Sequence, residues 1–139
     1  MSREMLIRGL NEDLAGELGA IIRYTYHAGQ AKGPQSETLR RLFRDGAADE
    51  LEHAAFLTDI IVSLGGEPTT TPSAFAKPDS LPAMLTVDLS IARANVDRYR
   101  EHSVLAAQLD DVELEFELEE IAADVLSCAV QIQCALNQM

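Results

Sequence analysis

Apolar residues recur along this chain at the three- and four-residue spacing of a helix face, in four separate stretches. The first runs from about Arg3 to Lys32, with Leu6, Leu10, Leu14, Ile21, Tyr24 and Ala28 on one stripe, and Gly33-Pro34 stops it. Ser36 offers an N-cap for the second, which continues through Leu39, Phe43, Leu57 and Ile60 to about Leu64. Gly65-Gly66 ends it, since glycine accepts the positive φ that closes a helix. The Thr-, Pro- and Ser-rich segment from Glu67 to Ser80 reads as a connection without helix. A third helix is expected from about Leu81 to Leu109, with Leu85, Leu89, Val96 and Tyr99 on its stripe. Asp110-Asp111 caps a fourth, which runs through Leu114, Leu118, Ile121, Val125, Cys128 and Ile132 to about Asn137. The links are short, long, short. Short links make antiparallel hairpins, and a long middle one crosses from one end of a bundle to the other. The pattern predicts an all-α chain with a single domain over residues 1–139, an antiparallel four-helix bundle. Hairpin one spans about 3–64, the crossover about 65–80 and hairpin two about 81–137.

The chain also repeats itself. A shift of 75 residues, without a gap, lays Leu6, Leu10, Asp13 and Leu14 on Leu81, Leu85, Asp88 and Leu89. Arg23, Tyr24 and His27 fall on Arg98, Tyr99 and His102, and Ala47-Ala48-Asp49 on Ala122-Ala123-Asp124. Any two amphipathic helices share Leu and Ala. Polar matches at one common offset are not explained that way, and they point to an internal duplication.

Composition narrows the function. A formal net charge of −12 argues against nucleic acid, which needs a basic face. No apolar run approaches the roughly 18 residues of a membrane span. Cys128 and Cys134 lie six apart on one helix and turn to different faces, so no internal disulfide is expected and a reduced, cytoplasmic protein is the default.

Three polar residues interrupt the stripes where hydrocarbon belongs. Glu17 lies between Leu14 and Ile21, and Glu50 and His53 lie between Phe43 and Leu57. A carboxylate in a core costs several kcal/mol unless something compensates it. Three such groups on adjacent antiparallel helices compensate one another by sharing a cation. The alternative is a metal-free network with protonated His53 between two carboxylates. Di-iron carboxylate bundles carry a Glu on each of two helices and a Glu-x-x-His on each of the other two. Glu17 matches the single Glu, and Glu50-Leu51-Glu52-His53 matches the Glu-x-x-His. Tyr24, two turns along from Glu17, is expected near the site as a hydrogen-bond donor.

At these residues the chain resembles the bacterioferritin and rubrerythrin branch of the ferritin-like proteins. Leu10-Asn11-Glu12-Asp13-Leu14-Ala15-Gly16-Glu17-Leu18 with Tyr24 is similar to the family's first helix, and Asp49-Glu50-Leu51-Glu52-His53-Ala54 to its second. The resemblance implies a ferritin-like bundle and members that bind two irons, oxidise ferrous iron or reduce oxygen or peroxide, and assemble as dimers or shells. The departures are as informative. The offset carries Glu17 to Ala92, Glu50 to Val125 and His53 to Cys128, none of which is a carboxylate or an imidazole. Leu51 stands where haem-binding bacterioferritins carry a methionine, so no haem is expected.

What remains is a half-site of Glu17, Glu50 and His53, suited to one iron or zinc ion with water in the open positions. Cys128 is a candidate soft fourth ligand from the facing helix, or a small hydrophobe. Asp49 is a candidate to support a ligand from behind. His27 and His102 flank their stripes and are expected to be partly exposed, and Glu113, Glu115, Glu117, Glu119 and Glu120 to form a solvated face. Three functions follow. One is a metal-binding protein with a reduced, mononuclear site, whose redox activity is impaired. Another is a ferroxidase whose di-iron site is completed between two subunits. The third is a structural subunit with a remnant site. A homodimer or larger homo-oligomer is expected.

Overall fold

The computed structural model of the chain describes residues 2–34 and 36–139, and among them the only regular elements are four helices. These are α1 (Ser2–Gln30), α2 (Ser36–Ser63), α3 (Leu81–Gln108) and α4 (Val112–Asn137). The ends follow the local chemistry. Ser36, expected as a cap, is already the first helical residue of α2. At the other end of α2, Gly65 takes φ +90°, and Gly66 N–H donates to Ile61 O at 2.9 Å. Ser80 caps α3 by accepting from Ala83 N, and Asp111 caps α4 by accepting from Leu114 N.

Helix α1 packs along α2 and α3 along α4, which makes the two hairpins, and α1 of the first lies against α3 of the second. The predicted stripes supply the core: Leu6, Leu10 and Leu14 meet Leu39, Phe43 and Leu57, and Leu85, Val96 and Tyr99 meet Leu118, Ile121 and Ile132. One stripe drifts by a residue. Ile61 rather than Ile60 points fully inward, four residues after Leu57.

The seam between α1 and α3 is polar and double. His102 Nδ1 bonds Asp13 Oδ2 at 2.5 Å, with Arg98 Nε 3.8 Å from Asp13 Oδ1. His27 Nδ1 bonds Asp88 Oδ2 at 2.7 Å, and Arg23 Nε donates to Asp88 Oδ1 at 2.7 Å. These are the residues related by the 75-residue offset: each aspartate is hydrogen-bonded by the histidine of the opposite helix, with that helix's arginine bonded to Asp88 and only nearby at Asp13. The two halves of the chain therefore meet as related copies. His27 is 0% and His102 6% exposed, which corrects the expectation that they are partly exposed. Each histidine gives its Nδ1 to an aspartate on the facing helix, while Nε2 of His27 is buried without a hydrogen-bond partner.

The crossover is fastened along α1. Asn11 accepts from Thr69 N at 2.8 Å and donates to Glu67 O at 3.1 Å, and Ser73 N–H donates to Ala15 O at 2.9 Å. Gly19 permits that approach, because a Cβ there would stand 2.6 Å from Ser73 O.

Two glycines of α1 should respond oppositely to alanine. A Cβ on Gly9 would lie 2.5 Å from His102 Nε2, whereas one on Gly29 meets nothing within 4 Å. Gly9→Ala is expected to cost about 1–3 kcal/mol by overpacking. Gly29→Ala is expected to gain about 0.5–1 kcal/mol by helix propensity. Urea unfolding of both variants checks this, and shifts of the same sign would contradict the packing.

Candidate metal centre

Glu17 comes from the middle of α1, and the i, i+3 spacing of Glu50 and His53 puts both on one face of α2, one turn apart. All three are buried, at 1%, 8% and 8% exposure. One ligand atom from each lies within 4.8 Å of the other two. His53 Nδ1 faces inward, 3.2 Å from Glu17 Oε2 and 3.2 Å from Glu50 Oε1. One imidazole nitrogen and two carboxylate oxygens converging on a small space are a donor set for a borderline divalent ion.

Two supporting contacts come from the second hairpin, and neither was expected. Tyr99 of α3 donates its hydroxyl to Glu17 Oε1 at 2.9 Å. The far nitrogen of the ring, His53 Nε2, donates to Asp124 Oδ2 of α4 at 3.4 Å. A carboxylate on the outer nitrogen fixes which nitrogen of a ligand histidine faces the centre. This corrects two expectations. Tyr24, expected near the site as a donor, has its hydroxyl 3.8 Å from Cys128 Sγ, and the tyrosine that donates to the cluster is Tyr99. The carboxylate that touches His53 is Asp124, the repeat-mate of Asp49.

The offset explains both exchanges. Tyr99 bonds Glu17, so its mate Tyr24 would bond residue 92, which is an alanine. Asp124 holds His53, so Asp49 would hold residue 128, which is a cysteine. Ala92 and Val125 are buried among hydrocarbon and bring no donor to the centre. The Cys128 sulfur lies outside the three-residue cluster, and burial holds its thiol up at about 11, protonated at neutral pH.

Without a metal ion the cluster would hold protons. Burial pushes Glu17 up to about 8; the bond from His53 opposes this, and the charge of Glu50 adds to it. Burial drives His53 down, but the hydrogen bonds and charges of Glu17 and Glu50 outweigh it and hold the imidazolium up to about 11. Burial likewise raises Tyr99 well above the ordinary phenol range, and the Glu17 charge adds to that, so Tyr99 stays a donor.

The description "Ferritin-like domain" fits residues 7–126 of this sequence, most of its length. The chain belongs to the ferritin-like family. A structure from Bacillus anthracis str. Ames, described as ferritin-like, diiron-carboxylate proteins, is 34% identical over 98% of both chains, with a TM-score of 0.95. The Mycobacterium tuberculosis bacterioferritin BfrA is 27% identical over 96% of this chain and 85% of its own, with a TM-score of 0.85. An archaeal Dps homologue from Halobacterium salinarum, 23% identical over 97% of this chain and 81% of its own, shares the fold with a TM-score of 0.90. No curated protein matches the chain.

In the metal-free chain the folded values of Glu17 and His53 both lie above their ordinary values of 4.5 and 6.5. The folded state therefore binds more protons than the unfolded one, and stability falls as pH rises. The Glu17 share is lost between about pH 4.5 and 8, and the His53 share between about 6.5 and 11. The urea midpoint of chelator-treated protein is expected to decline from pH 5 to 9, with a smaller decline below pH 8 in Glu17→Gln. A flat wild-type profile, or one unchanged by the substitution, would contradict this.

Proposed function

We propose that this chain is a ferritin-like metal-binding protein that holds one divalent ion at Glu17, Glu50 and His53, with iron as the resident metal and zinc as the competing one. The observation that carries the reading is the inward-facing Nδ1 of His53 between two buried carboxylates, with no donor opposite at positions 92, 125 or 128. The Bacillus anthracis relative, by its description, favours iron. The ligand count favours one ion over two. A bound ferrous ion would supply one-electron chemistry at coordination positions left to water.

The protein's own part is to shape and support the centre. Tyr99 steadies Glu17, and Asp124 steadies the His53 ring. Loading requires the protons held on His53 and Glu17 to leave, so affinity rises with pH. The reading in which two chains pool their first hairpins has less support, because the chain's own α3 packs on α1 and Tyr99 already bonds Glu17. Exposed Leu51, Phe116, Leu126 and Val130 favour self-association without requiring it for the centre. No helix among the described residues is long and apolar enough to cross a membrane, and both cysteines are free, which favours a reduced, cytoplasmic setting.

Metal analysis and calorimetry on purified chain are expected to give about one ion per chain, with between about one and two protons released on binding at pH 7. Glu50→Ala or His53→Ala should each weaken binding by roughly a hundredfold or more. Two ions per chain, or binding that survives both substitutions, would overturn the reading.

A further inference from the structure

The seams of the bundle are not equally open. The helices of each hairpin pack along their length, and the crossed ion pairs of Asp13 and Asp88 close α1 against α3. The crossover lies over α1 at Gly19. Between α2 and α4 the helices barely touch. Two hollows of about 470 and 280 Å³ lie in that groove, both lined by Glu52, His53 and Asp124. Cys128 borders the larger and Ile121 the smaller, so they stand on either side of the His53–Asp124 hydrogen bond.

We propose that a divalent cation reaches Glu17, Glu50 and His53 through the α2–α4 groove, passing the His53–Asp124 contact. The inference rests on the metal centre proposed above and adds its route. Glu17, at 1% exposure, has no path of its own to water. His53 is the residue that both borders the hollows and belongs to the triad. The contact across the groove is long, at 3.4 Å, and the Asp124 side chain is 65% exposed, so water replaces His53 as its partner when it turns outward. Asp45 and Asp49 line the larger hollow and Glu117 and Glu120 the smaller, and no lysine or arginine lines either. Carboxylates along low-dielectric walls focus a field that draws cations inward and raises the association rate.

The test is stopped-flow binding of Co²⁺ to the whole chelator-stripped chain. The pair Glu117→Lys and Glu120→Lys reverses charge on the groove wall. The pair Asp97→Lys and Glu101→Lys makes the same net change on exposed positions of α3 that line neither hollow. The groove pair is expected to slow association about tenfold at low salt, with the effect shrinking at high salt, and the α3 pair less than about twofold. Ser127→Trp, which fills the larger hollow from an exposed position, should slow entry and release by the same factor and leave affinity unchanged. Gln131→Trp, on the same wall, is the second steric probe if Ser127→Trp folds poorly.

Equal slowing by the two charge pairs, or rates indifferent to both the groove charges and the tryptophan, would overturn the route. A wild-type chain that takes up no cobalt would instead refute the centre. The two failures are therefore distinguishable.

Discussion

Two carboxylates and an imidazole share an interior space too dry for a carboxylate to stand charged alone, and the account depends on how that is resolved. Without an ion the answer is protons: Glu17 and His53 both hold theirs well above their ordinary ranges. With the ion proposed above, the protons would leave and the same atoms would become ligands. The pocket would then exchange one kind of positive charge for another, and folding and metal affinity would depend on pH in opposite senses. Tyr99 and Asp124 serve either state, because each bonds the cluster from outside the inward-facing atoms.

The second constraint is the seam. The 75-residue repeat keeps an aspartate, a histidine and an arginine in both sets between α1 and α3, whereas Ala92, Val125 and Cys128 stand at the positions that match Glu17, Glu50 and His53. Breaking one partner of a buried, hydrogen-bonded pair strands the other at a cost of several kcal/mol. Residues 92, 125 and 128, by contrast, turn to hydrocarbon and a thiol and join the core without such a penalty. The polar seam holds α1 against α3, and the second hairpin's side of the bundle centre is apolar packing at Ala92 and Val125. Beside it the backbones of α2 and α4 stand farther apart than those of the other seams, and one long hydrogen bond from His53 to Asp124 crosses the groove.

Much of this was legible in the residues. Leucine and alanine periodicity places the four helices, and glycine and aspartate mark their ends. Glu17, Glu50 and His53 stand out because each breaks a stripe, and the structure brings all three together. Periodicity on one helix says nothing about what faces it, and the misreadings share that cause. His27 and His102 look like flanking residues until Asp88 and Asp13 arrive from 61 and 89 positions away. Tyr24 is nearer to Glu17 in sequence than Tyr99, yet the donor comes from the antiparallel α3. A signal did exist. The polar repeat-mates Asp13 and Asp88, Arg23 and Arg98, and His27 and His102 have no reason to recur on amphipathic helices unless they pair, and a pseudo-twofold pairs each with the other's half. The same symmetry would have pointed from His53 to Asp124 rather than to its near neighbour Asp49.

The most direct measurement is anomalous diffraction from crystals of the chain grown with Co²⁺ or Zn²⁺. A single peak is expected about 2.0–2.2 Å from His53 Nδ1 and from an oxygen of each of Glu17 and Glu50. A pair of peaks roughly 3.5–4 Å apart, or no density between those three side chains, would contradict it.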